Sequence, residues 1–171
     1  MRTNHNLAIK PPFAFVRERF GKTLEPGREF MTEIDFEHTL DAMIAAGNYD
    51  WKNEAMSASN FPVEGSGVKR FWTKVFHFGR AMASEDAIAA LRNEGFAAAT
   101  HVQGLAFGAL FPTDRRTHSI ACLGSSARLI GVRYVVCLVG DCATRRLSLY
   151  DWLGDWSDDW RFLGVREFDR S

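Results

Sequence analysis

Four segments in the last third of the chain, SIACLG, VRYVVCLVG, RRLSLYDW and WRFLGVREF, are rich in β-branched and aromatic residues and are separated by Gly, Asp and Ser turns. Strands this closely spaced pair as hairpins, and Gly140-Asp141 stands where one of them would reverse. Upstream the pattern changes. Ser84 precedes Glu85 and Asp86, an apolar face of Ala87, Ile88 and Leu91, and then Gly95, which predicts a helix capped by Ser84 and stopped by Gly95. Thr100 and Gln103 have capping-box spacing and open another helix through Leu105, Ala106, Ala109 and Leu110 that Pro112 ends. Gly104 and Gly108, four apart, predict that its backbone packs closely on a neighbour. An earlier helix is expected near 36 to 46, with Leu40, Met43, Ile44 and Ala46 on one face and Gly47 in the left-handed position that closes it. VKRFWTKVFHFGR alternates with aromatics on both faces and predicts a central strand. Helices grouped ahead of the strands, rather than alternating with them, give an α+β fold: two to three helices packed on a mostly antiparallel sheet.

Such a sheet needs a large core. With 46% hydrophobic and 13% aromatic residues among 171, the chain is expected to form one domain; a chain of this size buries roughly 70% of its unfolded surface. Residues 1 to 30 mix Pro11, Pro12, Pro26, Gly21 and Gly27 with charged runs and show no strand or helix period, so they read as an extended N-terminal arm ahead of a single domain over 31–171. Phe13, Phe15, Val16, Phe20 and Phe30 are too apolar for a solvated tail, so the arm is expected to pack across the domain or against another subunit. NYDWKNEAMSASNFPVEGSG then reads as a loop long enough to be functional or loosely ordered.

Charge excludes several classes. Lys plus Arg (21) equal Asp plus Glu (21), so no global field draws nucleic acid or an anionic membrane. No apolar run approaches the roughly 20 residues that span a bilayer, and the N-terminus lacks a signal-like apolar region, so a cytoplasmic protein is expected. Cys122, Cys137 and Cys142 sit in apolar or strand-like sequence and read as reduced, buried thiols. No second Cys or His pair follows Cys137 and Cys142 at ligand spacing, and neither GSSARLIG nor LVGDC matches a phosphate loop or dinucleotide fingerprint, so neither a metal nor another cofactor is expected. Arg115-Arg116 and Arg145-Arg146 flank loops, as a small anion patch or, on the stronger reading, a solvated face. His77, between Phe76 and Phe78, reads as a satisfied core or sheet-face histidine rather than a catalytic one. His101, just inside a helix start, reads as a surface residue, because a positive charge there opposes the dipole.

The densest chemistry lies in DWLGDWSDDW. Trp152, Trp156 and Trp160 are four apart and share a face under either helical or strand periodicity. Gly154, Ser157 and the crowded Asp residues are poor helix formers, so the segment reads as a turn or irregular loop between two strands. Its carboxylates are the right hard ligands for calcium, but the Asp-x-Asp-x-Asp-Gly pattern is absent. Two readings stay open: aromatic side chains finishing a core, or a recognition wall in which Trp supplies contact area and Asp supplies orientation. On the second, the protein is a non-enzymatic module that binds a protein or small ligand through Trp152, Asp155, Trp156, Asp158 and Asp159. Trp160 is then structural, and one or both of Trp152 and Trp156 are partly exposed. No catalytic residue is assigned. The alternative is a small enzyme with a Cys- or His-centred pocket, such as Cys122 with His77 or His118, although no spacing favours one pair.

The strings LDAMIAAGNYDW, NFPVEG, VFHFGR, SEDAIAALRNEGF, ACLGSS and WRFLGVRE resemble a group of uncharacterised bacterial proteins found in candidate-phylum genomes and on mobile elements. That resemblance covers about residues 34 to 167 and implies no activity. A strand, two helices and then strands closing on WSDDWRFLGVRE is similar in topology to C-type-lectin-like domains. Trp156, Ser157 and Asp158 stand at the Trp-Asn-Asp of the carbohydrate-binding members, but Ser157 replaces the ligand Asn, and the disulfide cysteines and the Glu-Pro-Asn or Gln-Pro-Asp motif have no counterparts. The resemblance therefore implies the fold and a binding surface in its irregular loop region, without calcium or sugar.

Overall fold

The computed structural model describes residues 10–18, 28–111, 118–141 and 143–168. The strands are β1 (Phe13–Glu18), β2 (Glu29–Asp35), β3 (Trp51–Lys52), β4 (Val68–Phe76), β5 (Ala97–Ala98), β6 (Ile120–Leu129), β7 (Val132–Gly140), β8 (Arg145–Asp151) and β9 (Arg161–Glu167). They form one sheet in the order β1-β2-β4-β9-β6-β7-β8-β3, with β5 added to β9. Every pairing is antiparallel except β6 with β9 and β3 with β8. The helices are α1 (Leu40–Ala46), α2 (Ser84–Asn93) and α3 (His101–Leu110). The architecture is the expected α+β, and β4 is interior, paired on both sides by β2 and β9.

Alternation along β7 divides the core. Val136 points into a cluster with Leu40, Met43 and Ile44 of α1 and Val102, Leu105 and Ala106 of α3. Its neighbours Val135 and Cys137 point to the other side, against Ala87 and Leu91 of α2, Trp152 and Trp156. One face is thus covered by α1 and α3. The other is covered by α2 and the connection from β8 to β9.

The capping box of α3 forms as read, with Thr100 N–H donating to Gln103 Oε1 at 2.8 Å and Gln103 N–H to Thr100 Oγ1 at 3.5 Å. Gly104 and Gly108 are where α3 packs tightest: a Cβ would strike Cys122 Sγ at the first and the Tyr49 hydroxyl at the second. Four local expectations are corrected. The stretch read as a strandless arm holds β1 and the start of β2, and burial of Phe13 and Phe30 fastens it to the sheet. Phe20, Pro26, Gly21 and Gly27 lie outside the described residues, as do Pro112, Arg115-Arg116 and Cys142. The long loop after α1 is anchored by Met56 and Phe61, which are fully buried, and its start adds β3 to the sheet. Gly47 has φ −82°, and the left-handed residue is Asn48 at 48°. What Gly47 provides is room, because a Cβ there would overlap the Tyr49 ring. Finally, α2 begins at Ser84 with Ala83 as its cap and no side-chain capping bond. The Ser84 hydroxyl is turned to a different task.

Candidate functional site

That task is to hold the β8–β9 connection. Ser84 Oγ donates to the Trp152 carbonyl at 2.7 Å and accepts the Trp156 indole N–H at 2.9 Å. One residue on, Glu85 Oε1 accepts the Trp152 indole N–H at 2.8 Å, a bond that keeps the Glu85 carboxyl below its usual range. The Arg133 guanidinium lies 3.5 Å over the Trp152 ring. Met82 and Trp156 exchange two backbone bonds at 3.0 Å. The first turn of α2 thereby satisfies both indoles at once, so two large aromatics are buried without an orphan donor.

The expected division of the tryptophans is inverted. Trp152 and Trp156 are buried at 6% and 3% exposure, whereas Trp160 is half-buried. The physical reason is the cover: α2 offers partners to the first two indoles, and no hydrogen bond joins the Trp160 indole to another described residue. Trp160 stands edge-on to Trp156 at 4.6 Å and to Tyr150 at 4.9 Å between ring centroids. Tyr150 is 39% exposed, a member of this surface that alternation along RRLSLYDW could have signalled. Asp155, Asp158 and Asp159 are exposed, and their side chains make no hydrogen bond or ion pair to another described residue. The Asp158 carbonyl is 2.8 Å from His77 Nε2, and His77 itself is exposed, on the strand's end.

The thiols are placed against nucleophilic work. Cys122 is fully buried and burial pushes its thiol up to about 12; Cys137 is raised by the same cause. No hydrogen bond joins Cys122 to a histidine among the described residues. His77 and His118 approach each other instead, at 6.5 Å between rings. His101 is buried rather than superficial, packed on Phe61 at 5.5 Å, with Ser125 Oγ 2.9 Å from Nδ1 and no hydrogen-bond partner for Nε2 among the described residues. Burial holds its pKa below the ordinary histidine value, so the ring is neutral and does not oppose the helix dipole. Among the described residues no three His, Cys, Asp or Glu side chains are grouped to hold a metal, and no helix is long and apolar enough to cross a membrane.

A second concave site was not read from the sequence. Tyr49, Phe107, Phe111, Leu138, Arg145 and His118 are among the residues lining a small cleft of about 50 Å³, partly open to solvent, where α1, α3 and the β7–β8 turn converge. Arg145 is not simply solvated: its guanidinium donates to the carbonyls of Gly47 and Gly108, tying the ends of α1 and α3 together. Arg146 is half-exposed and paired with Asp141 at 3.3 Å. Compared with protein-family models, curated proteins and solved structures, the chain matches none.

Proposed function

We propose that the protein is a non-enzymatic binding module whose recognition surface is the aromatic and acidic segment before β9. The observation that carries this reading is the pair of half-buried Trp160 and exposed Tyr150 beside three carboxylates that no cation of the described residues occupies. Aromatic faces attract cations, and exposed carboxylates steer them, so the ligand is a basic segment of a partner protein rather than a nucleic acid. Asp155, Asp158 and Asp159 with Trp160 and Tyr150 make the contacts, and Trp152 and Trp156 hold the segment in place. On this reading the protein works in the cytoplasm, belongs with the uncharacterised bacterial group it resembles, and uses its loop region as C-type-lectin-like domains do.

The test is titration with a lysine-rich peptide, followed by tryptophan fluorescence. Binding that weakens with salt, and falls about tenfold or more when Asp155, Asp158 and Asp159 are all changed to Asn, is the expected outcome. Equal affinity of the triple variant and the unaltered protein, or no binding by either, would overturn the reading.

A further inference from the structure

The cleft between α1, α3 and the β7–β8 turn shares no lining residue with the aromatic segment, although His118 in its wall is 6.5 Å from His77, which meets the Asp158 carbonyl. The centre of the cleft is Tyr49, whose hydroxyl is buried and has no hydrogen-bond partner among the described residues. A buried donor left unmade keeps its full desolvation penalty, so such a group is rare without a use. The ring is held there by construction. Gly47 and Gly108 both lack the Cβ that would collide with it, and the Arg145 guanidinium lies 5.1 Å from its centroid. Burial holds the phenol above its ordinary range, so it stays a donor at neutral pH.

Arg145 is equally fixed. Two of its N–H groups are bound by the Gly47 and Gly108 carbonyls, and no carboxylate pairs with its guanidinium among the described residues. A guanidinium has five N–H donors, so several remain. The nearby acids are otherwise engaged: Asp50 accepts the Arg145 backbone N–H at 2.7 Å, and Asp141 pairs with Arg146. They nevertheless offset much of the local positive charge, which favours a singly charged ligand over a phosphate dianion. Phe107, Phe111, Ile120 and Leu138 make an apolar side of the wall, and His118, Thr144 and Arg146 complete it.

We infer that this cleft binds a small organic carboxylate, whose oxygens accept from the Tyr49 hydroxyl and the Arg145 guanidinium while its apolar body lies against Phe107, Phe111 and Leu138.

The experiment is an amide NMR titration of the full chain with acetate, isobutyrate, benzoate and inorganic phosphate as the probes. The expected result is saturable shifts at Gly47, Gly108 and Gly140, tightening from acetate to benzoate and absent with phosphate. Tyr49→Phe should fold with undiminished stability and bind benzoate about tenfold more weakly, since only the donor is lost. Arg145→Lys, which keeps the charge without the fork, should also weaken binding. Phosphate binding as tightly as benzoate would overturn the carboxylate assignment. Unchanged benzoate affinity in Tyr49→Phe, or no localised shifts with any carboxylate, would overturn the site. A fall in the stability of Tyr49→Phe would show that the hydroxyl already has a partner and would remove the premise.

Discussion

The β8–β9 connection and the Tyr49 cleft are built from similar materials and end in opposite states. Each wraps aromatic rings around a polar centre and places an arginine against one of them, Arg133 over Trp152 and Arg145 near Tyr49. In the first, the polar account closes: both buried indole N–H groups and the Ser84 hydroxyl have partners within 2.9 Å. In the second it does not, because the Tyr49 hydroxyl has none among the described residues. A closed network of this kind serves rigidity, and its members add to stability through packing. An open one pays a desolvation cost that the protein alone does not recover. The difference separates the closed cluster of Ser84, Trp152 and Trp156, which holds the connection in place, from a centre with an unmet donor more sharply than composition does, since tryptophan stands both in that cluster and on the half-buried face beside it.

The largest test of that contrast is Trp156→Ala. Removing a ring that is 3% exposed should cost about 3 to 5 kcal/mol in urea unfolding, and a loss near zero would mean that the connection is not part of the core. Next comes Ser84→Ala, which strands the Trp156 indole N–H and the Trp152 carbonyl together. About 1 to 3 kcal/mol should be lost, although Ser84 makes no capping bond and alanine is the better helix former. Were Ser84 merely a helical residue, the same change would be neutral or slightly stabilising. The counterpart in the cleft, Tyr49→Phe, should show no such loss.

The smallest effect is expected at His101, which lies between the two cases, with Nδ1 partnered by Ser125 and Nε2 orphaned. Its pKa is held below the ordinary value of 6.5 in the folded state, chiefly by burial. Between the folded value and 6.5 the unfolded chain binds more protons, so stability rises with pH there. The contribution is present above 6.5 and is lost as the pH falls through the folded pKa. Urea midpoints at about pH 7.5 and about pH 5 should therefore differ more for the unaltered protein than for His101→Asn, which keeps the short-range bond but does not titrate. An identical pH difference in the two proteins would show that another group carries it.

Much of the fold is legible because local rules and tertiary structure agree over the central and C-terminal elements. The Thr100 and Gln103 capping box, the Gly95 stop of α2 at φ 82°, the interior strand β4 and the reversal after Gly140 each follow from a few neighbouring residues. The N-terminal strands were illegible for the converse reason. FAFVRE and EFMTEID are short pieces set among Pro and Gly, and they become strands because the outer edge of β4 is there for EFMTEID to pair with and EFMTEID then offers its own edge to FAFVRE. The acidic and aromatic residues before β9 were legible as a group, but their individual exposures were not. A spacing of four cannot say which indole α2 will cover.

What the amino-acid sequence determined by itself is therefore the local chemistry: caps, turns, alternating strands, a balanced charge and a concentration of Trp and Asp near the C-terminus. Tertiary structure alone decided which of those residues are spent on the core. Ser84 looked like a cap and became the hub of two tryptophans 68 and 72 residues away. Arg145 looked like a solvated charge and became the tie between two helix ends, with partners 98 and 37 residues distant. Hydrogen-bond partners at such separations are set by how the sheet brings elements together. No local pattern encodes whether a buried hydroxyl will find one.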